Sequence, residues 1–487
     1  MTAVGRGIVA RAAGVLGLIG WIAIGAAAAA ARTDGTRTSP PNGRSGERSL
    51  PSRWDLKTGA GVRWTADLGT ETYGGPVIAA GKVFVGTNNG KPRNPAVTGD
   101  RGIVMAFGAA DGAFLWQAVH DKLPQELNAD WPQQGVCSTP AVAGDRLYYL
   151  SNRGELVAAD TEGFLDGEND GPFRSETRSG KQDADLVWVV DLRQALGVRP
   201  AKMASSSPLV VGDRVFVGTS NGAGTGGKVA APEAPSLIAV ERATGKVLWA
   251  DASPGGKILD GQWSSPSLGR LGGVETLLFP AGDGWLYAFD PATGRRLWAF
   301  DAGAPLDVAA GGPRDSLIAA AVIAADRAYI GIGQDPERGA GKGRLWALAP
   351  KGTTAVAPAW SLSGDAFSRT LSTVAVAEGL VYAADLNGFL RCLDAATGKV
   401  LWEHDSFAAV WGSPLVADGK VYLGDEDGDV AVLRAGRTKQ LLAEINLGNA
   451  VYTSAAARDG VLYLATRSRL FALSEPPGPP PAPPAGR

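Results

Sequence analysis

The chain has 487 residues, with 47 Lys and Arg against 49 Asp and Glu and a formal net charge of −2. With no basic excess or stripe, nucleic acid is excluded as a partner. Two cysteines and two histidines exclude a disulfide framework and speak against a zinc site or a Cys–His or Ser–His nucleophile pair.

In chain order, Arg6 and Arg11 precede "AAGVLGLIGWIAIGAAAAAA", so residues 1–31 are expected to be a secretory signal peptide cleaved near Ala31. The alternative is an uncleaved anchor formed by residues 12–31, since about 20 apolar residues just span a bilayer. There is no twin arginine, and no cysteine lies near the cleavage point, which speaks against a lipoprotein route. Residues 32–52 read as a flexible linker and residues 474–487 as a Pro-rich disordered tail.

Between the two tails one unit recurs. "DAATGKVLW" begins at Asp394, "DPATGRRLW" at Asp290 and "ERATGKVLW" at Glu241, while "AADGAFLWQ" from Ala109 keeps the Gly and the Trp. The repeat tryptophans are Trp64, Trp116, Trp188, Trp249, Trp298, Trp360 and Trp402, spaced 42 to 72 residues apart. Each unit reads as four short strands. In "SPLVADGKVYLGDEDGDVAVL" from Ser413, apolar and β-branched runs are separated by Asp-Gly turns, which suit the positive φ of tight hairpins. A period of roughly 40–50 residues with four strands per unit is that of a propeller blade.

Inner strands are expected to start near Pro76, Pro140, Pro208, Pro266, Ala321, Val374, Pro414 and Ala455, giving eight blades. The last unit has three strands, and "GVRWTADLG" (Gly61–Gly69) is expected to supply its fourth. The fold class is therefore all-β: one eight-bladed β-propeller over residues 53–473, closed by an N-terminal strand completing the last blade, which removes exposed sheet edges. Cys392 fills a slot that is Ala in other copies. Cys137 opens the second blade, across the ring from Cys392, so the two are not expected to pair. His120 and His404 are expected in loops after the repeat tryptophans.

The D-x-x-T-G-x-x-x-W repeat resembles that of the pyrroloquinoline quinone (PQQ) repeat propellers, over about Arg53 to Leu473. The resemblance implies either of two activities: a quinoprotein dehydrogenase, or a BamB-like scaffold in envelope protein assembly, because one fold hosts many functions. In the dehydrogenases it implies a quinone stacked between a Trp and a ring of two adjacent disulfide-linked cysteines. There, Glu, Asn and Asp hold calcium, an Asp is the base, and the cofactor carries the hard chemistry. This chain has no adjacent cysteine pair and no C-x-x-C-H haem motif.

Turns between first and second strands are short throughout, whereas the joins on the opposite face are long and unequal. Function gathers in such loops and at concave mouths, so that face is read as the working face. Tyr73, Trp263, Trp411 and Tyr452 enter inner strands there, and Trp131 lies in the long loop ahead of the second blade. Lys202, Asp260, Gln262, Arg314, Asp315 and Arg369 are interleaved with them. These eleven residues are the candidate ligand or partner site. "TEGFLDGENDGPF" places Asp166, Glu168, Asp170 and Gly171 like the first half of a calcium loop, so those three carboxylates are the candidate metal ligands. The expectation is an exported, periplasmic or cell-envelope monomer that binds other envelope proteins or an extended peptide. No catalytic residue is assigned and no PQQ is expected. Structural calcium is the cofactor candidate, and membrane contact arises only through the N-terminal segment.

Overall fold

The computed structural model describes residues 43–124, 131–224, 226–305, 314–336 and 339–476. The signal or anchor segment, the linker up to residue 42 and the tail from residue 477 lie outside these residues. Among the described residues no helix is long and apolar enough to cross a membrane.

Eight four-stranded antiparallel sheets follow one another along the chain. Blade 1 runs over residues 77–121, blade 2 over 141–191, blade 3 over 209–251 and blade 4 over 267–301. Blade 5 covers 322–368, blade 6 covers 375–405 and blade 7 covers 415–446. Blade 8 joins Ala456–Arg458, Val461–Ala465 and Arg469–Leu473 to Val62–Asp67, with Trp64 opposite Ala472. Every inner strand starts one residue after the position read from sequence, and the closing strand is the expected one.

The inner and middle strands are buried on both faces because each blade is covered by a neighbour on either side. Leu380–Ala384 is buried at all of its positions, whereas the outer strand Val400–Asp405 alternates. A tight turn such as Asp418–Gly419, with φ of 50° and 66°, matches the twist of the strands it joins. The buried apolar residues gather in one cluster per interface between adjacent blades, all the way around the ring. Leu462 and Phe471 of blade 8 pack with blade 7, and Tyr463 and Leu470 of the same blade pack with blade 1.

The repeated nonapeptide makes several of these interfaces in two steps. Asp394 Oδ1 accepts from the backbone N–H groups of Ala396 and Thr397, and Gly398 N–H closes the turn on Asp394 O at 2.8 Å. Gly398 has φ +74°, and a Cβ there would lie 2.6 Å from the Trp360 ring. Trp360, on the outer strand of blade 5, lies flat on this turn of blade 6, and its Nε1 donates to Ala395 O at 3.0 Å. The same pairing joins Trp64 to Ala109 O, Trp188 to Arg242 O and Trp249 to Pro291 O. Most units thus offer a turn to the preceding tryptophan and a tryptophan to the following turn, whereas the outer strand of blade 7, Leu441–Asn446, has no tryptophan.

Two expectations need correction. His120 and His404 lie in outer strands, Phe114–Asp121 and Val400–Asp405, not in loops. Residues two apart in a strand share a face, so each follows its tryptophan into the blade interface and is buried. Residues 43–52 are also not a free linker. Val416 N–H donates to Gly43 O at 2.7 Å and Ser45 N–H to Val416 O at 2.8 Å. Leu50 N–H reaches Asp418 Oδ2, and Tyr422 Oη donates to Pro51 O at 2.8 Å. Leu50 and Trp54 are buried in the core between blades 7 and 8. The arm is held because it caps apolar surface that the last two blades leave open.

Gly294 (φ +72°) places a would-be Cβ 2.6 Å from Trp249, whereas Gly212 (φ +58°) faces open space. Gly294→Ala is therefore expected to cost at least about 1 kcal/mol more than Gly212→Ala, beyond the strain of positive φ common to both. Urea unfolding of the two variants measures the difference, and equal costs would remove the tryptophan–turn contact from the stability argument.

His120 Nε2 lies 2.9 Å from the Tyr149 hydroxyl. Burial pushes its pKa down to about 4, with Glu155 acting in the opposite direction. The unfolded chain therefore binds a proton that the folded chain resists. This contribution is present above the unfolded value near 6.5 and is lost as pH falls towards 4. His120→Gln should flatten the difference in stability between pH 7 and pH 4 by up to about 3 kcal/mol. An unchanged pH profile would mean that His120 titrates freely in the fold.

Candidate functional site

The chain enters each inner strand through one small residue beside the central channel: Gly75, Thr139, Ser207, Ser265, Ala320, Thr373, Ser413 and Ser454. Gly75 N–H donates to Thr139 Oγ1 at 3.0 Å, Thr139 N–H to Ser207 Oγ at 3.0 Å and Ser207 N–H to Ser265 Oγ at 2.9 Å. Ala320 N–H donates to Thr373 Oγ1 at 3.1 Å, Thr373 N–H to Ser413 Oγ at 2.9 Å and Ser413 N–H to Ser454 Oγ at 2.9 Å. Each hydroxyl accepts from a backbone N–H of the neighbouring blade, which is the physical reason that Ser or Thr opens six of the eight inner strands. Gly75 and Ala320 carry no hydroxyl and interrupt the collar. The collar divides a mouth of about 520 Å³ on the elaborated face from a vestibule of about 200 Å³ on the plain face.

Five of the residues singled out in the sequence converge on the mouth: Tyr73, Trp131, Trp263, Trp411 and Tyr452. They form two banks. Tyr73 and Tyr452 stack in parallel at 5.5 Å, and Trp411 lies 4.6 Å from Tyr452. Opposite them, Trp131 packs on Trp263 at 5.9 Å. Trp263 is only 8% exposed, so it supports Trp131 from beneath, while Trp131 and Trp411 present open faces. Met203, Ile318, Leu371 and Pro336 complete the apolar lining. Lone apolar residues in long loops carry no periodic signal, and the sequence reading missed them.

The interleaved charges are already engaged. Lys202 Nζ lies 2.7 Å from Asp260 and 2.5 Å from Asp335, over the rings of Trp131 at 5.4 Å and Trp263 at 5.7 Å. Burial works to lower its pKa, but the bonds to Asp260 and Asp335 outweigh that and hold it raised. Arg369 Nε donates to Asp315 Oδ1 at 2.7 Å. The Asp315 carboxyl is pushed up by burial, with Arg369 opposing. The half-buried Tyr452 hydroxyl, bonded to Glu426 at 3.1 Å, is raised by partial burial to about 12 and stays protonated.

Two of the expected site residues serve the scaffold instead. Gln262 is buried, donating to Asn221 O at 2.6 Å and to Ser236 Oγ at 2.8 Å. Arg314 grips the Asp301 carboxylate at 2.5 Å. The long loops around them carry backbone polar groups that need partners, and these side chains provide them.

The acidic insertion does not assemble as a calcium loop. Asp170 Oδ2 is 2.7 Å from Arg146 Nη2, and Arg146 also pairs with the Asp160 carboxylate. Asp166 is spent on its own turn, accepting from Glu168 N–H at 3.0 Å. Among the described residues no three His, Cys, Asp or Glu side chains are grouped to hold a metal ion. Cys137 and Cys392 are both buried thiols, not joined in a disulfide.

Residues 52–258, 186–370 and 282–475 match the family described as outer membrane protein assembly factor BamB. Polyvinylalcohol dehydrogenase of Sphingopyxis sp. (strain 113P3) is 25% identical over 416 residues, which are 72% of this chain and 57% of that protein. 1-Butanol dehydrogenase (quinone) of Thauera butanivorans is 28% identical over 136 residues, 26% of this chain and 19% of that one. The matches thus span little more than half of the first of these curated relatives and a fifth of the second. Among solved structures, quinohemoprotein alcohol dehydrogenase from Comamonas testosteroni superposes with a TM-score of 0.58 at 14% identity, covering 89% of this chain and 78% of that one. BamB from Moraxella catarrhalis gives 0.50 at 15% identity, covering 85% and 97%. At these identities the likeness is one of fold.

Because Arg146 rather than a cation neutralises the acidic insertion, chelators are expected to leave the melting temperature unchanged. Arg146→Met strands the buried Asp160 carboxylate and should cost about 1–3 kcal/mol. A melting temperature that falls with chelator would restore the calcium loop.

Proposed function

Because the chain belongs to the family described as outer membrane protein assembly factor BamB, a PQQ-like repeat propeller, we propose that it is an exported binding propeller. Its aromatic mouth would take an extended segment of another envelope protein. One observation carries this reading. Aromatic side chains from loops spread around the ring meet at a single cavity in two banks, while the carboxylates beside them are held by Lys202 or Arg369. Such a site offers stacking area and apolar burial, with charges that fix its walls. Buried aromatic anchors at the centre of a patch typically dominate binding.

A second reading, oxidation of an alcohol at a quinone, is favoured by the two dehydrogenase relatives. The residues present do not fit the cofactor set that reading requires. The two cysteines are 255 positions apart in sequence, so no ring of adjacent cysteines covers a quinone face. A hard cation needs six to eight oxygen ligands, and of the acids at the mouth Asp260, Asp335 and Asp315 are engaged by Lys202 and Arg369.

Envelope extracts passed over the purified protein, with captured partners then titrated individually, test the proposal. Trp131→Ala with Trp411→Ala should weaken binding by about 2 kcal/mol or more for each anchor. Unchanged affinity would return both rings to the packing of the channel mouth. Mixed with PQQ and calcium, the protein should show no bound-quinone absorbance, whereas stoichiometric uptake with alcohol turnover would replace the binding reading with the oxidoreductase one.

A further inference from the structure

Away from the mouth, a polar cleft of about 360 Å³ lies along the outer strand of blade 1, Phe114–Asp121. Two insertions wall it. The long join between Lys82–Asn88 and Arg101–Gly108 contributes Arg93 and Asn94, and the blade 2 insertion contributes residues 180–183. That insertion is tied to the outer strand, with Gln117 N–H donating to Gln182 O at 2.9 Å and Ala184 N–H to Gln117 O at 3.0 Å. The Arg93 guanidinium lies 5.1 Å from the centre of the Phe107 ring and 4.7 Å from that of Phe114, and it donates to Asp67 O. Among the described residues neither Arg93 nor Lys181, which also lines the cleft, forms an ion pair. Burial lowers the Arg93 pKa, with only the Asp67 charge opposing it. Asp183, the carboxylate in the lining, is turned onto its own loop and accepts from Gly180 N–H at 2.9 Å. Gln117 lines the cleft at 3% exposure, and its buried Oε1 accepts no hydrogen bond.

We propose that this cleft is a binding site for an acidic saccharide unit, with the sugar carboxylate on Arg93 and Lys181 and a sugar hydroxyl on Gln117. The two phenyl rings and Asp67 O hold the guanidinium in place, so its remaining N–H groups are preorganised as a fork for a carboxylate. Lys181 adds a second positive charge from the opposite wall. Gln117 decides between a bare carboxylate and a sugar. A buried amide oxygen without a donor is costly, and a carboxylate has no proton to give it. A hydroxyl both donates and accepts, so it can meet whichever end of the amide turns to the cleft. Apart from Phe114, which lies under Arg93, the named side chains of the lining are polar. That suits a ring compound with polar groups along its edges, and the volume falls in the range of small-ligand sites. Nothing in the inference depends on what the mouth takes.

Calorimetric titration of the full chain with glucuronate tests the proposal, beside methyl glucoside, which lacks the charge, and glutarate, which lacks the hydroxyls. Glucuronate should bind at least about tenfold more tightly than either, since losing a charge-assisted bond or leaving the amide unpaired costs about that factor. Lys181→Gln, at an exposed side chain, should weaken glucuronate about tenfold with the melting temperature unchanged, and Arg93→Gln should weaken it by at least as much. Gln117→Leu should also lose about tenfold while the melting temperature holds or rises, because the variant removes an unpaired buried acceptor. Trp131→Ala with Trp411→Ala should leave glucuronate binding as it was. The proposal is overturned by an absence of glucuronate binding, by undiminished binding in the Lys181 and Arg93 variants, or by glutarate binding equally well. Loss of glucuronate binding in the double Trp variant would overturn it too, by moving the sugar to the mouth.

Discussion

The contact between an outer-strand tryptophan and the Thr-Gly turn of the following blade is the constraint from which the rest of the structure follows. It requires a glycine with positive φ and no side chain, a backbone carbonyl aimed at the indole N–H, and a strand that ends where the next turn begins. Where those are met, a blade is registered on its neighbour at its outer rim, and closure of the ring leaves no free sheet edge. The last blade meets the requirement with a strand from the start of the chain, so Trp64 reaches Ala109 O as its counterparts reach theirs.

Outer registration leaves the inner rim to be settled by hydrogen bonding. Eight inner strands converge on the channel, each entering through a small residue, and hydroxyls of one blade take up the N–H groups of the next. The same small residues therefore stabilise the ring and narrow its channel into two compartments. Above the collar, long joins crowd the mouth with aromatic side chains. Below it, short turns leave room for the arm. The asymmetry of loop lengths, and not the repeat itself, distinguishes one face as the candidate site.

Within that site the charges act as struts. Lys202 joins Asp260 to Asp335 under two indole rings, and Arg369 holds Asp315, so the aromatic surfaces are presented at fixed positions. A preorganised apolar surface with its polar groups already paired loses little on binding. A catalytic site needs the reverse, with groups left free to exchange protons or ligate a cation. The proteins similar to this chain include a BamB and quinone-dependent dehydrogenases by name, and one propeller architecture serves both.

By itself, the sequence determined what depends on local periodicity: four strands per unit, eight units, the tryptophan–turn repeat and the strand that closes the ring. Those features repeat, so each copy reinforces the reading of the others. The gathering of Tyr73, Trp131, Trp263, Trp411 and Tyr452 was also legible, because most of them occupy equivalent slots before an inner strand. What only the tertiary structure decided is the fate of residues that occur once. Lys202 and Asp335 are 133 positions apart, and no spacing rule connects them. Gln262 and Arg314 look like Lys202 in sequence yet are consumed by loop backbone. Asp170 resembles a calcium ligand until Arg146, on another strand, takes its charge. The arm at Gly43–Leu50 reads as linker because its partners, Val416, Asp418 and Tyr422, lie some 370 residues away. A repeat writes its contacts into its period, whereas a single long-range pair exists only once the ring has closed.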